Sequence, residues 1–131
     1  MTEQTVDWPA LRAAALAATA HSYSPYSGLA VGSAALCDDG RVVIGCNVEN
    51  ASYGLGVCAE TMMAGQLRLG GGGRFVAVSC RSGADVALTP CGRCRQVLHE
   101  LGGPGCLVDT DQGVRSMAEL LPLAFGPEDL P

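Results

Sequence analysis

"TPCGRC", residues 89–94, places two cysteines three positions apart directly after a proline. Pro90 and the residues that follow it predict the start of a helix, so Cys91 and Cys94 share one helical face a turn apart. A pair at this spacing often supplies half of a zinc site. A closed structural site needs a second such pair, and the sequence contains no other C-x-x-C. Other residues must therefore complete the site. It is closed if the protein supplies four ligands and open if one position is left to water or substrate.

The sequence around this stretch alternates between helical and extended patterns. Asp7 and Pro9 are typical of a helix start, and Asp39-Gly40 between two apolar runs indicates a hairpin. The predicted helices cover residues 7–23, 58–69 and 91–101, the predicted strands cover 29–37, 41–49, 74–80 and 105–109, and a short strand and a short helix follow within 114–121. This order predicts an α/β protein with a mixed sheet covered by helices.

The composition is that of a single globular domain over residues 1–131. Of the 131 residues, 48% are hydrophobic and 16% are charged, which excludes a disordered chain. The net charge of −5 and the absence of any Lys/Arg run disfavour nucleic acid as a partner. The apolar runs are also too short to span a membrane.

Cysteine usage indicates the compartment. The chain has seven cysteines, an odd number, and no secretory signal opens it. Several of them lie in apolar runs that read as strands. We therefore expect reduced thiols in a cytoplasmic protein, with a subset of the cysteines binding metal.

Cys58 is the candidate for the third ligand. It lies at the start of a predicted helix, as Cys91 does, and the partial positive charge of a helix N-terminus favours the thiolate that binds zinc. His99 lies five residues beyond Cys94, about 7.5 Å along the helix axis, so it cannot join them. His21 falls at the end of the first helix. Three protein ligands are the number typical of an open, catalytic zinc site.

Glu60 follows Cys58 by two residues. By itself it would be read as a first-turn acid that complements the helix dipole. Beside three candidate zinc ligands, it is better placed as a carboxylate that takes a proton from zinc-bound water and passes it on.

These residues resemble the three-cysteine form of the zinc-dependent nucleobase deaminases, in which C-A-E is followed by P-C-x-x-C. Four longer segments are similar to the small homotetrameric cytidine deaminases: "SPYSGLAVGSAAL", "GCNVENASYG", "PCGRCRQVL" and "LLPLAFGPEDL". The similarity runs from about Ser22 to Leu130. It implies a cytidine deaminase-like fold, a three-layer α/β sandwich with a central mixed five-stranded sheet covered by helices.

The resemblance implies an enzyme of pyrimidine salvage that hydrolyses cytidine and deoxycytidine to uridine, deoxyuridine and ammonia. Cys58, Cys91 and Cys94 would hold one zinc ion per subunit, which lowers the pKa of bound water toward about 7. Glu60 would be the proton shuttle, delivering the proton first to N3 of the pyrimidine and then to the leaving ammonia.

The resemblance also assigns substrate contacts. Asn47 and Glu49 lie two apart at a strand end and would bind the ribose hydroxyls, and the backbone N–H of Ala59 would hold the pyrimidine carbonyl. Phe125 would reach a neighbouring subunit's pocket and stack on the base, and Tyr53 would line a subunit interface near that pocket. The implied assembly is a homotetramer with active sites shared between subunits.

Two positions depart from the family pattern. Leu29 stands where Phe is common, which makes one wall of the pocket aliphatic. Thr61 stands where many three-cysteine relatives carry an Arg that offsets the charge of the thiolates. Three thiolates and Zn²⁺ sum to −1, and our hypothesis is that Arg95, next to Cys94, offsets this charge instead.

Four other interpretations are less consistent with the sequence. Residues 54–59, "GLGVCA", fit a G-x-G-x-x-A dinucleotide fingerprint, but no acidic residue ends a following strand at the expected offset. A structural zinc module would need a fourth protein ligand. A related deaminase could act on nucleoside antibiotics or free bases, although Asn47 with Glu49 favours a ribose-bearing substrate. A polynucleotide deaminase is disfavoured by the acidic charge.

Overall fold

Five strands and the helices between them follow one another in the predicted order. The computed structural model of the chain describes residues 5–131. Its elements are α1 (Trp8–Ala18), β1 (Val31–Cys37), β2 (Val42–Cys46), α2 (Ala59–Leu69), β3 (Phe75–Ser82), α3 (Gly92–Gly102), β4 (Leu107–Thr110), β5 (Gly113–Ser116) and α4 (Met117–Leu120). Single turns of 3₁₀ helix occupy Thr19–His21, Tyr53–Leu55 and Pro127–Asp129.

Helix α1 begins where the sequence predicts and ends earlier. The Asp7 carboxylate accepts a hydrogen bond from the backbone N–H of Ala10 at 3.0 Å, which caps the N-terminus. The predicted helix ran to residue 23, but the α-helix ends at Ala18 and continues only as the 3₁₀ turn. The hydroxyl of Thr19 donates to the carbonyl of Leu16 at 2.6 Å, and such side-chain bonds to the preceding turn compete with helix propagation.

The sheet is mixed, as predicted. Its strand order within the described residues is β2-β1-β3-β4-β5, with β3 and β4 parallel and the other neighbours antiparallel. A parallel pair needs a crossover connection, and α3 provides it between β3 and β4. The antiparallel β1–β2 pair is joined through the turn at residues 38–40, where the N–H of Cys37 donates to the carbonyl of Arg41 at 2.8 Å.

Helices cover both faces of the sheet. Alternate residues of a strand point to opposite faces, so adjacent residues of β3 belong to different cores. Ala77 packs with Leu11 and Ala15 of α1. Val78 packs with Met63 of α2 and Leu98 of α3. The result is the three-layer arrangement that the sequence analysis predicted.

Two glycines allow the helices to approach the β1–β2 pair closely. A Cβ on Gly32 of β1 would lie 2.0 Å from the carbonyl oxygen of Ala15 in α1. A Cβ on Gly45 of β2 would lie 2.2 Å from the carbonyl oxygen of Ala59, the first residue of α2. Because no side chain fits in either gap, these glycines set the distances from the sheet to α1 and to the start of α2.

No helix in the described part of the chain is both long and apolar enough to cross a bilayer.

Candidate metal centre and active-site cavity

Two helix starts meet above the sheet, and each is capped by a cysteine. Cys58 is the N-cap residue of α2 and Cys91 is the N-cap residue of α3, both with extended backbone angles. Neither side chain caps its own helix by a hydrogen bond, so both sulfurs are free to bind elsewhere. Cys94 lies in the first turn of α3 and is fully buried.

The three cysteines form a compact ligand set. The sulfurs of Cys58 and Cys91 are 3.9 Å apart, and the sulfurs of Cys58, Cys91 and Cys94 all lie within 4.8 Å of one another. Tetrahedral zinc with Zn–S bonds of about 2.3 Å requires sulfurs about 3.8 Å apart. The residues therefore fit a zinc ion. Within residues 5–131 this is the one group of three or more His, Cys, Asp or Glu ligands within metal-binding distance.

The thiols differ in acidity. Burial raises the pKa of the Cys58 thiol, and burial followed by the charge of Glu60 raises that of Cys94. At Cys91, burial acts in the same direction, but the nearby backbone N–H of Cys94 and the thiols of Cys94 and Cys58 together outweigh it and lower the pKa of that thiol. Cys91 is therefore the readiest of the three to provide a thiolate.

Glu60 is buried beside this ligand set, with 5% of its surface exposed. It lies in the first turn of α2, where the helix N-terminus stabilises a negative charge. Cys80 of β3 is also buried here, and that burial, with the charge of Glu60, raises the pKa of its thiol well above the usual range. Cys80 therefore lines the site as a protonated, uncharged thiol.

A cavity of about 360 Å³ opens in front of the cysteines. Its lining includes Cys58, Glu60 and Cys91 together with four residues predicted to contact substrate: Leu29, Asn47, Glu49 and Ala59. The fold therefore brings most of the predicted site residues into one place, although they come from four separate stretches of chain.

Asn47 holds the wall of this cavity together. Its Oδ1 accepts from the N–H of Val31 at 2.9 Å and from the hydroxyl of Ser22 at 2.5 Å, and its Nδ2 donates to the carbonyl of Leu29 at 2.8 Å. An amide side chain has two donor and two acceptor positions. Three of the four are used, and one N–H remains for a ligand.

Glu49 has a similar double role. Its Oε1 accepts from the backbone N–H groups of Tyr26 and Ser27, at 2.9 and 3.1 Å, and its Oε2 accepts from the hydroxyl of Ser27. The hydrogen bond from the Ser27 hydroxyl, followed by that from the Ser27 N–H, lowers the pKa of this carboxyl. Glu49 is therefore an ionised acceptor with about one lone-pair position left unused.

Comparison with known proteins now identifies the family. The family model described as "Cytidine and deoxycytidylate deaminase zinc-binding region" matches residues 8–109. The chain belongs to this family. It is 56% identical over 126 residues to a cytidine deaminase of Mycobacterium tuberculosis (strain ATCC 25618 / H37Rv), covering 96% of this chain and 95% of the relative.

Solved structures of the cytidine deaminase family have the same fold. The crystal structure of cytidine deaminase from Mycobacterium tuberculosis superposes with a TM-score of 0.91 at 55% identity, covering 93% of this chain and 99% of the other. The enzyme from Burkholderia pseudomallei gives a TM-score of 0.81 at 42% identity, covering 95% of this chain and 100% of the other. These comparisons confirm the predicted family and fold, and the family's zinc-binding region includes the three-cysteine cluster.

Two residues singled out by the cytidine deaminase resemblance lie outside the cavity. Phe125 is 58% exposed, and its backbone carbonyl accepts from the side chain of Gln96 at 2.7 Å. Tyr53 is 82% exposed, with its ring centroid 6.2 Å from that of Tyr26. Neither ring is among the side chains that line the cavity of its own chain.

Arg95, the residue hypothesised to offset the thiolate charge, donates hydrogen bonds to two backbone carbonyls. Its Nε donates to the carbonyl of Pro90 at 2.9 Å and its Nη1 donates to the carbonyl of Leu120 at 2.8 Å. These bonds tie the residue before Cys91 to the end of α4. In the described part of the chain, the guanidinium has no hydrogen bond to a cysteine sulfur, so Arg95 positions the Cys91 loop.

One site residue was identified only as a departure from the family pattern. The hydroxyl of Thr61 lies 3.5 Å from the sulfur of Cys94, across the interface of α2 and α3. The sequence placed Thr61 in the helix after Glu60, but it contained no signal that this side chain would face a ligand of the other helix. Ser27, which completes the hydrogen bonds of Glu49, was missed for the same reason.

Proposed function

We propose that this chain catalyses the zinc-dependent hydrolytic deamination of cytidine and deoxycytidine to uridine and deoxyuridine, with release of ammonia. One observation carries the proposal. A buried carboxylate, Glu60, lines the same cavity as Cys58 and Cys91 of the three-cysteine cluster. This pairing of a three-ligand metal centre with a proton-transfer group is the arrangement that hydrolytic deamination of a nucleobase requires.

Glu60 carries out the proton transfers. When bound, zinc supplies an acidified water molecule that is a nucleophile at neutral pH. Glu60 accepts a proton from the attacking water and delivers it to N3 of the pyrimidine, which makes C4 electrophilic. Glu60 then takes the remaining hydroxyl proton from the oxygen added at C4 and delivers it to the amino group, and the C4–N bond breaks to release ammonia. The burial of Glu60 keeps bulk water from competing for these protons.

The start of α2 holds the base. Ala59 is the first residue of the helix, so its backbone N–H has no partner within the helix. Ala59 also lines the cavity, and its N–H binds the pyrimidine carbonyl. Leu29 forms an aliphatic wall of the same cavity. The base is therefore fixed with C4 toward the cysteines.

Asn47 and Glu49 bind the sugar. The remaining N–H of Asn47 donates to one ribose hydroxyl, and the remaining acceptor position of Glu49 accepts from the other. A free base offers neither hydroxyl, so these two groups would be left unpaired in its complex, which costs affinity. The substrate is therefore a nucleoside.

The working form is a homotetramer with shared active sites. Phe125 and Tyr53 are large aromatic side chains exposed in a single chain. In the tetramer, Phe125 enters a neighbouring subunit's cavity and stacks on the base, and Tyr53 lines the interface beside it. Each subunit is one domain over residues 1–131, holds one zinc ion and works in the cytoplasm, which suits its seven cysteines.

Ammonia release from cytidine by zinc-loaded protein tests the proposal, with Glu60→Gln as the matched variant. Steady release from the wild type and a loss of about 10²–10⁴-fold in Glu60→Gln, with zinc content unchanged, are expected. Free cytosine should react far more slowly than cytidine. Zinc-loaded wild type that releases no ammonia from either nucleoside would overturn the proposed activity, and equal rates on cytosine and cytidine would overturn the sugar contacts.

A further inference from the structure

The metal centre carries a charge that must be offset. Three thiolates and a divalent zinc sum to −1, and electron-rich sulfurs make the metal a poorer Lewis acid. Residues that hydrogen-bond to the ligands reduce this effect, because they draw electron density from the sulfurs. The donors of this chain that reach a cysteine sulfur therefore influence the chemistry of the metal.

Thr61 provides such a donor to Cys94. Its Oγ1 lies 3.5 Å from the Cys94 sulfur, which is within range for a hydrogen bond to sulfur. A thiolate has no proton to give, so in the metal-bound state the hydroxyl of Thr61 must be the donor. The contact joins the first turn of α2 to the first turn of α3.

The hydrogen bond from Thr61 affects the Cys94 sulfur strongly because Cys94 is buried. Cys94 is fully buried, whereas Cys91 is exposed. Water can solvate the sulfur of Cys91, and the nearby backbone N–H of Cys94 also favours its thiolate. The sulfur of Cys94 depends on protein donors, and a hydrogen bond in a low-dielectric environment is electrostatically stronger than one in water.

The alternative donor, Arg95, makes its hydrogen bonds elsewhere. Arg95 follows Cys94 directly, but its guanidinium donates to the carbonyls of Pro90 and Leu120. Within residues 5–131, the side chains of Thr61 and Glu60 and those of the other cysteines reach the Cys94 sulfur. An ionised Glu60 can only accept, so Thr61 is the hydroxyl or N–H side-chain donor to this sulfur.

We infer that Thr61 is a positioning residue of the metal centre, whose hydroxyl donates a hydrogen bond to the Cys94 thiolate and so keeps the metal electrophilic. The inference rests on the proposed function for its effect on turnover, but not for its effect on the metal–sulfur bond. It assigns to a neutral hydroxyl the charge-offsetting role that the sequence analysis gave to Arg95.

The test uses two variants of the full chain and two readouts. Thr61→Val keeps the shape of the side chain and removes the hydroxyl, and Thr61→Ser keeps the hydroxyl and removes the methyl group. The first readout is the sulfur-to-metal charge-transfer absorption of the cobalt-substituted protein. The second is kcat and KM for cytidine with the zinc-loaded protein.

Thr61→Val should shift the charge-transfer band to longer wavelength, because the thiolate becomes more electron-rich. It should also lower kcat about tenfold with little change in KM, at the lower end of the effect of removing outer partners of metal ligands. Thr61→Ser should retain the wild-type band and rate. If Thr61→Val does not fold, Thr61→Ala is compared with Thr61→Ser in the same way.

An unchanged band in the variant without the hydroxyl would overturn the inference, as would a Thr61→Ser protein that matches Thr61→Val. A wild type that does not deaminate cytidine would overturn the proposed function. In that case the cobalt spectra of the three proteins would still decide the role of Thr61, since they need no turnover.

Discussion

Gly45 of β2 lies directly against the carbonyl of Ala59, so close that a Cβ on Gly45 would stand 2.2 Å from that oxygen. Ala59 is the first residue of α2, between Cys58 and Glu60. The positions of Cys58 and of Glu60, the proposed proton-transfer group, therefore depend on a glycine in the neighbouring strand. This relationship links the packing of the sheet to the chemistry of the site.

Gly45→Ala should disturb the metal centre as well as the fold. The added methyl group meets backbone rather than a flexible side chain, so the start of α2 must move, and overpacking of this kind costs about 1–3 kcal/mol. Gly32→Ala is the matched control, because its Cβ would lie 2.0 Å from the carbonyl of Ala15 in α1, on the opposite face. Urea unfolding and competition with a zinc chelator measure the two effects.

Both glycine variants should lower the free energy of unfolding, and Gly45→Ala alone should weaken zinc binding. Equal zinc affinity in the two variants would contradict the link between β2 and the ligand position.

Zinc binding should release protons and should tighten as the pH rises. In the metal-free protein, burial raises the pKa values of the Cys58 and Cys94 thiols. At neutral pH these two thiols hold protons that the metal must displace, so at least these two protons should be released per zinc ion. Calorimetry in buffers of different ionisation enthalpy measures the number, and a binding heat independent of the buffer would contradict the prediction.

Removal of one thiol of the three-cysteine cluster should abolish zinc binding, whereas removal of a cysteine outside the cluster should not. Cys91→Ser should lose zinc on dialysis and lose activity, because a serine hydroxyl is a poor zinc ligand at neutral pH. Cys46→Ser is the control, since the Cys46 sulfur is not part of the three-cysteine cluster and donates to the carbonyl of His21 at 3.5 Å. A Cys91→Ser protein that keeps its zinc through dialysis would contradict the ligand assignment.

Part of the stability that the fold loses in acid should come from Asp109. The side-chain hydrogen bonds from Arg12, at 2.8 and 2.9 Å, lower the pKa of this buried carboxyl below its usual value. A carboxyl with a lowered folded-state pKa stabilises the protein above its unfolded-state pKa of about 3.9, and this contribution is lost as the pH falls through the folded-state value.

Asp109→Asn should therefore unfold more readily than the wild type at pH 7, by about 1–3 kcal/mol. The difference should vanish once the pH lies below the folded-state pKa of Asp109. Thermal unfolding from pH 7 down into acid measures it, and a stability difference that does not change with pH would show that the carboxylate charge is not its source.

Glu49→Gln should weaken substrate binding with little effect on folding. The amide oxygen can still accept from the N–H groups of Tyr26 and Ser27, and the amide nitrogen can donate to the Ser27 hydroxyl. The negative charge and the remaining acceptor are lost, so KM for cytidine should rise about tenfold. Unfolding midpoints provide the control. Unchanged KM would remove Glu49 from the ribose contacts.

Phe125→Ala and Glu60→Gln should complement each other in mixed tetramers. Alone, the first should have a raised KM and the second should be almost inactive. In hybrids made by co-expression, an intact Glu60 site can receive Phe125 from a Glu60→Gln neighbour, which restores a low KM. Hybrids that show only the KM of Phe125→Ala would contradict shared active sites.

Most of the metal centre could be predicted from the sequence, because its signals are local. Cys58 and Cys91 are recognisable as residues at helix starts, and the spacing of Cys91 and Cys94 fixes one face of α3. The order of strands and helices followed from apolar patterns and turn residues. The predicted end of α1 was wrong by several residues; at the observed end, the hydroxyl of Thr19 bonds to the carbonyl of Leu16, which competes with helix propagation.

Contacts between distant residues could not be predicted in this way. Asn47 and Glu49 were expected only to bind substrate, and the structure adds that they fix the chain around Tyr26–Ser27 and Leu29–Val31. Hydrogen bonds across about 20 residues depend on how β2 ends beside that chain, which no local pattern encodes.

The sequence by itself determined the family, the order of the elements and the set of cysteines, since spacing, capping and periodicity are properties of neighbouring residues. Only the tertiary structure decided which side chain supports the metal ligands. Arg95 is adjacent to Cys94 in sequence but bonds to backbone carbonyls, whereas Thr61, 33 residues away, reaches the Cys94 sulfur. The reason is that α2 and α3 pack side by side on one face of the sheet, and that packing is set by long-range contacts such as Gly45 against Ala59.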